Sequence, residues 1–325
     1  MPRRPFEQKL ARLKQLDSAT PAAEAAGEIG RALGGASGLL AAEASRAAGR
    51  LGLAELAPAI AAAYRRFLSD PVRRDPGCHA KVAAAEALDA LECPDAGVFL
   101  HGVRYVQMEP AYGPPVDAAA RLRAACASAL YRMGHPQLPY ETVSLLADRE
   151  PEVRSAAVRI LADLGDLWCV LLLRSHALAG DERVEITGDC LSGLMAIEPG
   201  PSLEFVRRFL ASNDPAVAEE AALAIGNSRV REACPLLVDL RSGSADAAFR
   251  RRLLLPIALT RSEDAFGYLL GVVEEEHAGQ AAAALEALAV FVGDGARRDR
   301  VVEAVGRRGE AAVTKAFRDA FDRPH

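Results

Sequence analysis

Residues 148–165 read DREPEVRSAAVRILADLG, and how this stretch folds decides how the rest of the chain is read. Proline at a first helical position has a preset φ and no amide to leave unpaired, so Glu150-Pro151 starts a helix. Asp148, Glu150 and Glu152 then lie near the positive end of its dipole. Apolar Val153, Ala156, Ala157, Ile160, Leu161 and Leu164 recur at helical spacing and make one stripe, which predicts Ile160 and Leu164 in the core. Gly165 ends the helix, and a second apolar segment, DLWCVLLLRSHALA (166–179), follows at once. The unit is a helical hairpin that buries its stripe only by stacking on neighbours.

Composition agrees. Half of the 325 residues are hydrophobic but only 5% are aromatic, and alanine-rich segments favour close helix packing over a sheet core. No uncharged apolar run is long enough to span a membrane, and the N-terminal MPRRPFEQKLARLKQ has no apolar core of a secretory signal. A net charge of −5 argues against general affinity for nucleic acid. Lys9, Lys14, Lys81 and Lys315 are the only lysines, which reads as the codon usage of a GC-rich, bacterial genome. Cys78, Cys93, Cys126, Cys169, Cys190 and Cys234 form no C-x-x-C pair; they read as free, mostly buried thiols in a reducing cytoplasm.

Weaker copies of the hairpin run along the chain. After a charged N-terminal helix (Phe6, Leu10, Leu13, Leu16) and one started by Thr20-Pro21, hairpins are expected at 38–68, 78–108, 117–148 and 148–179. Four more follow at 183–211, from Asp214-Pro215, at 246–275 and at 279–307, and a helix at 310–321 closes the array. Corner glycines give the period. Gly134 to Gly165 is 31 residues, Gly165 to Gly226 is 61 and Gly226 to Gly293 is 67, or one, two and two repeats. Gly52 to Gly134 is 82, and the surplus is visible as SDPVRRDPG (69–77) and QMEPAYGPPVD (107–117). Such departures map to loops and often carry function.

The central hairpin resembles the HEAT-like repeats, in particular the short bacterial kind related to phycobilin lyase repeats. Their signature is an acidic residue, often a proline, then Val-Arg, paired alanines, spaced leucines and a glycine. Here it stands as Pro151, Val153-Arg154, Ala156-Ala157, Ile160 and Leu164-Gly165. The copy at Asp214-Pro215 keeps Val217, Ala221-Ala222 and Gly226 without the arginine, while the fifth has Gly188 and the seventh Pro256 inside a helix. The resemblance implies a right-handed superhelix whose second helices line a concave face. It predicts an all-α protein: an α-solenoid of about eight hairpins over 38–309, capped by helices within 1–37 and 310–325, as one domain. HEAT-like proteins are mostly binding scaffolds, with a few enzymes among them.

Those enzymes need residues this chain lacks. HEAT-like deoxyhypusine hydroxylases use paired His-Glu steps, and there is none here; alkylpurine DNA glycosylases use a basic, aromatic-lined groove. Gly293-Asp294-Gly295 lacks the third glycine and strand of a phosphate loop, Ser37 lacks a nucleophile elbow, and histidines 79, 101, 135, 176 and 277 lack metal-ligand spacing. No cofactor is expected. Two features point to binding instead. Arg65, Arg66, Arg104, Arg174, Arg207, Arg208 and Arg241 recur on second helices and suit bidentate contacts with carboxylates, or else they are solvated or paired with neighbouring acids. The 107–117 insertion carries Met108 and Tyr112 among Pro110, Pro114 and Pro115, with Tyr105 just before it; proline lowers the entropy of ordering a loop, and Tyr and Met favour contact surfaces. The expected function is a non-catalytic cytoplasmic scaffold for a protein partner, possessing an acidic segment. An enzyme or accessory of the bilin lyase or DNA glycosylase type is the alternative, recognisable by a closed pocket with converging polar groups.

Overall fold

The computed structural model describes residues 3–291 and 295–321, and the chain divides into two compact units, Met1–Ile160 and Leu161–His325. The first unit contains α1 (Arg3–Gln15), α2 (Ala22–Leu33), α3 (Gly38–Leu51), α4 (Ala57–Arg66), the single-turn α5 (Pro71–Arg74), α6 (His79–Ala90) and α7 (Gly97–Gly102). A small antiparallel pair, β1 (Met108–Glu109) and β2 (Val116–Asp117), precedes α8 (Ala120–Arg132), α9 (Leu138–Leu146) and α10 (Pro151–Leu164), whose last residues belong to the second unit. First helices pack side by side, α3 on α6 and α6 on α8, through alanine-rich faces such as Ala44, Ala47, Ala48 and Ala83 to Ala85. Small side chains let the helix axes approach closely, which is why so few aromatics suffice.

The second unit repeats the arrangement with α11 (Leu167–Ala179), α12 (Val184–Ile197), α13 (Pro199–Arg207), α14 (Pro215–Ser228) and α15 (Ala233–Gly243). The short α16 (Ala247–Arg252) and α17 (Leu254–Leu259) are followed by α18 (Glu263–Glu275), α19 (Ala278–Leu288), α20 (Gly295–Arg308) and α21 (Ala311–Phe321). Here α12 packs on α14, α14 on α17, α17 on α19 and α19 on α21. Side-chain caps start several helices: Ser37, Asp214, Asp246 and Ser262 each accept an amide of their helix's first turn. Ser37 is therefore a capping residue. Both units are all-α helical repeats, and β1–β2 is the only strand pair among the described residues.

Backbone conformation gives a truer period than the glycines do. Gly52, Gly134 and Gly165 take the left-handed φ expected of corners, but so do Glu92 (51°), Arg229 (54°) and Arg261 (54°). From 134 to 165 is 31 residues, from 165 to 229 is 64, and from 229 to 261 is 32; the steps 52 to 92 and 92 to 134 are 40 and 42. Gly226 is not a corner. It lies within α14, where a Cβ would clash with the carbonyl oxygen of Pro256 in α17, so its role is close helix approach. Gly293 and Asp294 lie outside the described residues, as do 322–325.

Three further expectations are corrected. Leu164 is only partly buried, because it ends α10; Val158 takes its place in a buried set with Val153, Ala157, Ile160 and Leu161. The second helix expected through Met108 stops at Gly102, leaving Arg104 in a turn and Tyr105 beyond it. Repeat seven does not start with one helix: Pro256 has no amide to bond back to Arg252, and the segment splits into α16 and α17.

Candidate functional site

The two N-terminal insertions meet. The Gly77 amide donates to Glu109 Oε1 at 2.8 Å, and Gln107 Nε2 donates to the Asp75 carbonyl at 2.9 Å and to Glu109 Oε1 at 2.6 Å. Beneath them lies a buried ionic chain. Lys81, fully buried on α6, donates to Asp75 Oδ2 at 2.7 Å and to the Phe67 carbonyl at 3.3 Å, while Asp75 also accepts the Ala80 and Lys81 amides. Arg123 on α8 donates to Asp117 at 2.6 Å, to the Tyr105 carbonyl at 2.9 Å and to both oxygens of Asp148 at 2.8 and 2.9 Å. Arg154 on α10 closes onto the carbonyls of Asp148 and Arg149 at 2.8 and 3.0 Å. A charge leaves water only when it is met by opposite charge or hydrogen bonds, and each of these cations is met by carboxylate or carbonyl oxygens. Burial pushes the Asp117 carboxyl up, but the Ala119 and Gln107 amides and Arg123 outweigh it and hold the group below its usual range.

This chain was missed in the sequence although a signal was present: Asp75, Asp117 and Asp148 each stand six residues before a basic residue, Lys81, Arg123 and Arg154. Its consequence is a stiffly rooted hairpin. Gln107 and Asp117 are tied to each other at the base, the Gln107 amide donating to Asp117 Oδ1 at 3.1 Å and the Ala118 amide to the Gln107 carbonyl at 2.9 Å. From that base Met108, Tyr112 and Val116 project into solvent, Tyr112 completely. Val106, just before the base, is also exposed. Tyr105 turns inward, half-buried, with its ring 5.6 Å from Lys81 Nζ and 5.5 Å from the His101 ring; burial pushes its hydroxyl up to about 12.

Most of the arginines are already engaged. Arg66 donates to the Leu33 and Gly35 carbonyls and so covers the end of α2. Arg104 forms a forked pair with Glu141, which is 4% exposed. Arg65 stands 3.7 Å from Asp95, both well exposed. In the second unit Arg174 pairs with Glu198 at 3.0 Å and Arg207 with Glu204 at 3.7 Å. Arg241 is buried and clamped by Glu276, Tyr268, Gln280 and the Arg250 carbonyl. Arg208, like Arg66, has no carboxylate partner among the described residues; its guanidinium lies 5.9 Å from the Phe205 ring. The structure thus joins Arg104, Tyr105 and the hairpin in the first unit, and Arg174 and Arg208 around Phe205 in the second.

All cysteines are free and five are buried; burial pushes the Cys78 thiol up to about 12 and raises Cys126 and Cys190 further. Four histidines are hydrogen-bonded: His101 with Tyr64 Oη at 2.8 Å across 37 residues, His176 with Asp181 at 3.1 Å, while His135 and His277 accept the Gln137 and Gly279 amides. Among the described residues no group of His, Cys, Asp and Glu is arranged to hold a metal, and no helix is long and apolar enough to cross a membrane. Three clefts, of about 610, 540 and 740 Å³, lie respectively at Lys9–Leu40, at Arg231–Tyr268 and along α14, α16, α17 and α19.

Comparison with known proteins gives only fold-level likenesses. No family model matches, and no curated protein matches. Among solved structures, the complex of CpcE and CpcF of phycocyanin lyase from Nostoc sp. is 19% identical, covering 78% of this chain and 94% of that one, with a TM-score of 0.39. An engineered protein is also 19% identical, covering 97% and 98%, with a TM-score of 0.41.

Proposed function

We propose that the protein is a non-catalytic scaffold of HEAT-like repeats that holds a protein partner through the 107–117 hairpin. One observation carries this reading: a buried ionic chain fixes the base of the hairpin while Met108, Tyr112 and Val116 stand in water. Apolar side chains held rigidly in solvent bind at low entropic cost, and burying each contributes on the order of 1.5–3 kcal/mol. The five buried thiols and the four hydrogen-bonded histidines support leaving chemistry out of the role. Arg66 and Arg104 serve the fold, so apolar contact rather than an acidic partner segment is the main attraction on this surface.

The test starts with a partner captured by crosslinking in source cells, followed by titration of that partner against a Met108→Ser/Tyr112→Ser variant. Both positions are exposed, so the variant should keep the native melting temperature. Its affinity should fall by about tenfold or more. Unchanged affinity would place the binding surface elsewhere.

A further inference from the structure

Helix α11 carries a row of leucines that the fold does not use. Leu167, Leu171 and Leu178 are 73%, 60% and 58% exposed. Their spacing of i, i+4 and i+11 puts them within about 40° on one face, over roughly 16 Å of helix. The opposite side is complete without them: Cys169, Val170, Leu173 and Ala177 are buried, and α11 packs on α12. Of the other second helices of this unit, α13, α15 and α18 expose no large apolar side chain and α20 exposes one, Val302, so a row of them is particular to α11 among the described residues.

Charge says what kind of segment would cover it. Arg174 stands within the row at i+7, its guanidinium 5.1 Å from the Phe205 ring of α13, and Arg208 lies 5.9 Å from that same ring. Arg174 is paired with Glu198 at 3.0 Å and Arg207 with the exposed Glu204 at 3.7 Å, while Arg208 has no carboxylate partner among the described residues. The apolar row is therefore bordered on its α13 side by arginines, of which Arg208 has no carboxylate partner among the described residues. A straight row along one helix matches the apolar face of another helix rather than a globular knob.

We propose that α11 is the docking face for an acidic amphipathic helix of a partner protein. Its leucine-sized side chains would interleave with Leu167, Leu171 and Leu178, and its carboxylates would pair with Arg208 and Arg174. The proposal is independent of the hairpin reading, and either can fail alone.

Trp168 is the only tryptophan and sits on α11 beside Leu167, so its emission reports on this face. The probes are two synthetic amphipathic peptides with leucines at i, i+4 and i+11, one flanked by glutamates and the other by lysines. The glutamate peptide should shift Trp168 emission to the blue and bind at least about tenfold more tightly than the lysine peptide, with salt narrowing the gap. Leu171→Asp should abolish the shift, and Arg208→Glu should remove the preference for glutamate; both sites are exposed, and thermal melting checks that the variants fold. Met108→Ser/Tyr112→Ser should leave peptide binding unchanged. Absence of the emission shift, equal binding of the two peptides, or binding that survives Leu171→Asp would overturn the proposal. So would concentration-dependent self-association lost in Leu171→Asp, which would assign the face to a second copy of this chain.

Discussion

In the N-terminal unit, α6, α8 and α10 carry Lys81, Arg123 and Arg154 early in each helix, buried and tied to the loop before it. In the C-terminal unit the matching places hold Thr187 in α12 and Ala218 in α14, also buried, and Asp181 turns to His176 instead. That unit's large buried cation, Arg241, lies on a second helix and gathers α18, α19 and the α16 segment around it. The difference is one of purpose. A buried cation must be met by acids and carbonyls, and in the N-terminal unit the two insertions supply Asp75 to Lys81 and Asp117 to Arg123, while the loop before α10 meets Arg123 and Arg154. Charge there fixes loops, whereas in the C-terminal unit it joins helices.

The comparison can be broken by substitution. Lys81→Met should be the most damaging, at about 3–5 kcal/mol in urea unfolding, since Asp75 would be left buried without its cation. Adding Asp75→Asn should recover part of the loss. Arg241→Met should cost less, roughly 1–3 kcal/mol, because Glu276 is partly exposed and keeps Arg250 at 3.0 Å. The reverse order would mean that the C-terminal unit is the one built on its ion cluster.

Acid response sharpens the contrast with the smallest effect. Burial and then Asp189, Glu219 and Glu185 raise the Glu220 carboxyl above its ordinary 4.5. The folded state then holds this proton more tightly than the unfolded chain, so stability falls as pH rises through that interval. Glu220→Gln should raise the melting temperature at pH 7, and the gain should vanish near pH 4 and below. Asp117 is depressed, so its contribution has the opposite sign: present above about pH 4 and lost as pH falls through its folded value.

Much of the architecture was legible because it is local. Pro151 begins α10, Asp214 caps α14, and Gly134 and Gly165 take the corner conformation, all within one turn of the residues that specify them. What was not legible depends on partners a repeat away. Arg66 and Arg104 look like free surface charges until α2's carbonyls and Glu141, more than thirty residues distant, come to them. Gly226 reads as a corner because only packing against Pro256 reveals otherwise. The insertions were visible as surplus length, but their mutual hydrogen bonds cross 32 residues and leave no periodic trace.

The left-handed corners at Arg229 and Arg261 share a φ of 54° and are 32 residues apart. The chain leaves both in the same way, without a glycine to make the turn easy. Residues 230–261 are thus bounded by interchangeable joints, and a segment cut at one would splice at the other with its helices in phase. A whole repeat added or removed at these joints would leave the helices on either side in the same phase. The N-terminal steps of 40 and 42 residues lack that exchangeability, because removing either repeat would strip the other insertion of its hydrogen-bond partners.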